Sequence, residues 1–92
     1  MEVRVLTAQP SSGYPEKDYI CVHTDADPFD DTVVLATIER VTDRPQGKTK
    51  RVRTLLARMR MSVDAALDLA TSYAAWKQVP VVYADSLPRH TQ

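Results

Sequence analysis

Apolar and polar positions alternate with a period of two through most of the chain up to Met61, and the period then lengthens to that of a helix. Met1–Thr7 sets Val3, Val5 and Thr7 against Arg4 and Leu6, as a short strand does. Gln9–Lys17, with Pro10, Gly13 and Pro15, is a loop. Asp18–Thr24 reads as a second strand, with Ile20 and Val22 on one face and Tyr19, Cys21 and His23 on the other. Asp25–Asp31 has the chemistry of a tight turn, since aspartate side chains accept nearby backbone N–H groups. Thr32–Val41 is rich in β-branched residues, is apolar on both faces over Val33–Leu35, and reads as a third strand. Thr42–Lys50, with Pro45 and Gly47, connects it to the next element.

Arg51–Met61 satisfies two periods at once. At period two, Leu55, Ala57, Met59 and Met61 share one face, and Thr54, Leu56, Arg58 and Arg60 share the other. At helical spacing, Val52, Leu56, Met59 and Val63 run on into Ala66, Ala70 and Tyr73, as in one helix from about Lys50 to Gln78. The strict Arg58-Met59-Arg60-Met61 alternation favours a strand. So does Ser62, a capping side chain followed by Asp64 in a helical first turn. Val63–Gln78 is then a helix, alanine-rich, free of glycine and proline, and ended before Pro80. Its stripe of Val63, Ala66, Leu67, Ala70, Tyr73 and Ala74 suits a sheet. Ala65, Leu69 and Trp76 lie on an adjoining face, giving an apolar arc wider than one sheet requires. Val79–Ala84 is expected as a short edge strand, because Pro80 is tolerated only at an edge.

These elements predict one α+β domain over residues 1–85, with about four mostly antiparallel strands, one long C-terminal helix packed on one face, a short fifth strand, and a tail over residues 86–92. The other sheet face is expected to stay uncovered and, with the surplus apolar helix surface, to make the chain a homodimer. Composition adds constraints. The chain is 43% hydrophobic and 26% charged, which fits a folded domain. Its one cysteine, Cys21, excludes an internal disulfide and, with no signal-like start at Met1–Leu6, leads to a cytoplasmic expectation. No run of about 18 apolar residues is present to span a membrane.

Net charge is zero but polarised: nine acids and four bases precede Gln46, and three acids and eight bases follow. Acidic and basic strands pairing with each other account for this pattern most simply. Lys48, Lys50, Arg51, Arg53, Arg58 and Arg60 place six of twelve bases in one short stretch. Such a run suits nucleic-acid phosphates, although no aromatic residue interleaves for base stacking. His23, Asp25 and Asp27 alternate as metal ligands on a strand would, with Asp30 and Asp31 nearby. The calcium-loop pattern fails, since Asp30 occupies the glycine position and Ala36 the closing acid's. Cys21 and His23 share a strand face but lack a third orienting group, and His90 falls in the tail. Asp64 and Asp68 suit the helix dipole rather than acid–base chemistry. The sequence therefore predicts a non-enzymatic interaction or regulatory module without cofactor or metal, with Leu69 and Trp76 as partner-binding residues. The alternative is nucleic-acid binding through Lys48–Arg60.

Overall fold

Ser62 is the point at which the chain changes from strand to helix, and it does so by capping. Its hydroxyl accepts the Ala65 N–H at 3.1 Å, and its carbonyl accepts the Ala66 N–H at 3.1 Å. The computed structural model describes residues 2–6, 18–43 and 50–84; Lys48 and the expected tail at 86–92 lie outside them. The fold is α+β: strands β1 (Arg4–Leu6), β2 (Asp18–Ala26), β3 (Val34–Asp43) and β4 (Lys50–Met61), helix α1 (Val63–Lys77), then strand β5 (Val81–Tyr83). Arg51–Met61 is thus strand and not helix.

The sheet order is β1-β5-β2-β3-β4. The long ladders β2–β3 and β3–β4 are antiparallel, whereas β5 pairs in parallel with both β1 and β2. The expected edge position of Val79–Ala84 is therefore corrected: β5 is interior. Pro80 precedes the strand, and its carbonyl accepts the Arg4 N–H at 3.0 Å, so its missing N–H costs the ladder nothing. Helix α1 reaches this position by a tight stop. Gln78 adopts φ 59°, and the Val79 N–H returns to the Ala74 carbonyl at 2.7 Å.

Alanines at every fourth position set the distance between α1 and the sheet. Ala66, Ala70 and Ala74 are fully buried against Ile20, Val22, Val34, Ala36, Ile38 and Val82, with Val63, Leu67 and Tyr73 part-buried beside them. That is the stripe read from the sequence. The expectation of an uncovered second face holds at β4, where Val52 and Thr54 are exposed, and is corrected over β5 and β2. Tyr19, Cys21, Val41, Val81 and Tyr83 are buried there as a second, smaller core, with the Tyr19 and Tyr83 rings edge to face at 5.4 Å.

Strand β4 carries two register shifts opposite Ala36–Ile38 and Ile38–Glu39. Arg58 lies at the first with φ 46°, its N–H donating to the Thr37 hydroxyl at 3.1 Å. The shifts place Leu56 opposite Ile38, on the helix side, and both Leu55 and Leu56 pack against the main core. Plain alternation had put Leu56 with Arg58 and Arg60.

Candidate interaction surfaces

The basic stretch does not form one surface. Arg53 stands directly opposite Arg40 and Arg51 opposite Thr42, on the helix side of the sheet. Arg58 and Arg60 point to the other side, where each meets an acid. Arg58 Nη1 donates to Asp25 Oδ2 at 2.8 Å with both side chains largely exposed. Arg60 Nε stands 2.6 Å from Asp27 Oδ2, off the line of a hydrogen bond, so the contact is an ion pair. The Asp27 carboxylate is fully buried, and its Oδ1 accepts the Phe29 N–H at 2.8 Å. An acid at the end of β2 and one in the turn after it thus meet two bases of β4 across β3, as the charge pattern suggested.

The candidate metal residues are drawn apart by these contacts. Asp25 and Asp27 serve arginines, and His23 Nε2 lies 3.3 Å from Glu39 Oε1. Among the described residues no group of three His, Cys, Asp or Glu side chains converges. Asp30 instead closes its own turn. Its Oδ1 accepts the Thr32 hydroxyl at 2.6 Å and amide at 2.9 Å, which hold its carboxyl below the usual carboxylate range, the hydroxyl contributing most. Cys21 is buried and shares a strand face with half-exposed His23. Asp64 lies in the first turn of α1, where the helix dipole favours it.

Helix α1 packs on β2, β3 and β5, leaving the helix side of β4 partly open. The result is an apolar groove of about 180 Å³ lined by Ile38, Leu55, Leu56, Leu69 and Tyr73. Trp76 adjoins it through Tyr73, the two rings edge to face at 5.9 Å, and Lys77 Nζ sits 4.1 Å from the Trp76 ring centre. Trp76 is 70% exposed and Leu69 50%. With Ala65 and Ser72 they form an outward line at steps of four, three and four residues. The other large exposed apolar residues are Val5 on β1, Phe29 in the β2–β3 turn, Val52 on the far face of β4 and Met59 on its helix side, opposite Ala36.

Along the same side of β3 and β4 the surface becomes cationic. A second groove of about 230 Å³ is lined by Arg40, Thr42, Arg51 and Arg53. Arg40 is fixed there by two hydrogen bonds to Asp18, at 3.1 and 2.9 Å. Asp18 holds the guanidinium charge above its ordinary stability, burial opposes this, and Tyr73 adds to it. The sequence showed the cations but not this grouping, which needs the β3–β4 register.

Together these features define a small α+β protein whose described surface includes an exposed helix flank beside an open groove. No family model matches the chain, and neither a curated protein nor a solved structure matches it. No helix among the described residues is long and apolar enough to cross a membrane.

Proposed function

We propose that this chain is a small non-enzymatic interaction module that works as a homodimer, joined through the outward flank of α1. The observation that carries the reading is the line formed by exposed Leu69, Ser72 and Trp76 with half-buried Ala65 at its N-terminal end. Its spacing is that of a seam between two helices, and it alternates small and large side chains. In an antiparallel pair, Trp76 of one copy lies over Ala65 of the other, and Leu69 over Ser72. Large residues then fill the spaces above small ones, as close packing requires. Tyr73 holds the Trp76 ring from the side, which lowers the entropy lost when the anchor is buried.

Self-association through the β4 edge is disfavoured by charge. Four exposed arginines, Arg51, Arg53, Arg58 and Arg60, lie along this edge strand, and charged side chains on an edge oppose edge-to-edge pairing. Sedimentation equilibrium tests the helix-flank dimer. The wild type is expected to be dimeric at tens of micromolar (roughly the range of a weak dimer), and Leu69→Glu or Trp76→Glu to be monomeric with an unchanged circular dichroism spectrum. A wild-type monomer under these conditions overturns the proposal. Salt-dependent binding of short oligonucleotides, lost on Arg51→Gln/Arg53→Gln, supports the nucleic-acid alternative instead.

A further inference from the structure

We propose that Arg40, Thr42, Arg51 and Arg53 form a binding site for a phosphate monoester, at a place separate from the helix flank. The register brings three guanidinium groups and a hydroxyl to one side of two neighbouring strands, with Arg40 directly opposite Arg53 and Thr42 opposite Arg51. Like charges directly opposed across a ladder are unfavourable, so such a cluster needs compensation. Among the described residues one carboxylate supplies it: Asp18 takes up Arg40 in a two-pronged contact. Arg51 and Arg53 have no acidic partner among the described residues, whereas Arg58 and Arg60 each have one. Counted over the described residues, the cluster therefore carries two positive charges in excess, facing a groove of about 230 Å³.

A monoester carries about −1.5 to −2 charge at neutral pH and three strong acceptor oxygens, which match two guanidinium forks and a hydroxyl donor. A carboxylate neutralises only half of the excess. A nucleic-acid backbone presents single charges along a line, and the cations that would continue such a line, Arg58 and Arg60, lie on the opposite sheet face. Arg40 is already pinned by Asp18 and backed by Tyr73, so one wall of the groove is rigid before any ligand arrives.

Titration calorimetry of the full chain at fixed ionic strength tests this, with phenyl phosphate as the monoester probe, dimethyl phosphate as the diester and acetate as the carboxylate. Phenyl phosphate is expected to bind saturably, and the diester and acetate about tenfold more weakly or worse. Affinity is expected to fall as pH drops from about 8 to 5, because the second ionisation of the monoester lies near pH 6. Arg51→Gln/Arg53→Gln weakens binding at least about tenfold with the fold intact by circular dichroism, and Arg58→Gln changes it less than about twofold. Absence of saturable binding up to about 10 mM overturns the site. So does equal weakening by Arg58→Gln, which marks a diffuse charge effect, or equal affinity for acetate or the diester. Vesicles carrying phosphatidylinositol phosphate, set beside the soluble ester, distinguish a lipid headgroup from a free phosphate; both are monoesters and either supports the site. Phosphate binding by a chain that sediments as a monomer removes the dimer reading and leaves this one standing.

Discussion

Two arginine–aspartate pairs only two residues apart along β4 should differ several-fold in strength. In Asp25–Arg58 both side chains are about two-thirds exposed, at 64% and 63%. Exposed pairs of this kind contribute roughly 0.2–1 kcal/mol. In Asp27–Arg60 the carboxylate has no exposed surface and the guanidinium is 62% exposed. Removing one partner of a fully buried pair costs about 3–5 kcal/mol. Because Arg60 is open to solvent, water can enter once it is shortened, and an expected cost of about 2 kcal/mol for Arg60→Gln follows. That equals a drop of roughly 8–16 °C in melting temperature for a domain this small. Two double-mutant cycles check this, Asp27→Asn with Arg60→Gln and Asp25→Asn with Arg58→Gln, by urea unfolding followed by far-ultraviolet circular dichroism. The cycle also cancels the backbone effect of φ 46° at Arg58, which single substitutions carry with them. The expected coupling is about 1.5–2.5 kcal/mol for the first pair and below about 1 kcal/mol for the second. Equal couplings would refute the reasoning that burial of one partner sets the strength.

Four further outcomes follow from the helix packing, its N-cap and the Asp30 turn. Ala70→Leu forces a larger side chain between α1 and the sheet and should destabilise by about 1–3 kcal/mol or prevent folding. Ala75→Leu, on the exposed side, should be near neutral in the same thermal melts. Ser62→Ala removes the N-cap acceptor and should cost about 1 kcal/mol in denaturant unfolding, with Ser62→Asp restoring most of it. Because Thr32 holds the Asp30 carboxyl below its usual range, Asp30 contributes stability above its unfolded titration, and this is lost as pH falls through the lowered folded value. Asp30→Asn should therefore flatten the acid limb of the stability–pH curve and leave its slope above pH 6 unchanged.

Local pattern carried the helix and the long strands. Ser62, the alanine stripe and the β-branched run of β3 each dictate their element within a few residues, so they were legible. The doubt over Arg51–Met61 was also local, since its spacing fits both periods; pairing with the whole of β3 settles it as strand. Non-local features were not legible. Val81–Tyr83 is three residues long, and its interior place depends on parallel partners near Arg4 and Ile20, far away in sequence. The second core did leave a signal: Tyr19-Ile20-Cys21-Val22 is apolar without interruption, as a strand buried on both faces is. The bulges left none, and they alone turn Leu56 toward the helix. Of the candidate surfaces, exposure of Leu69 and Trp76 followed from the helical wheel. The meeting of Arg40 with Arg51 and Arg53 follows only from register.

The setting of Trp76 has an optical consequence. It is the single indole in the chain, it is mostly exposed in the folded monomer, and it is bordered by the Tyr73 ring and the Lys77 ammonium. Its emission wavelength in the monomer is therefore expected to lie toward that of an indole in water and to shift little in urea as the sheet is lost. Pairing through the flank of α1, as proposed above, would have the opposite effect, moving the one indole from water into a packed seam. On the proposed pairing, the chain would carry an unlabelled reporter whose emission wavelength answers more to association than to unfolding.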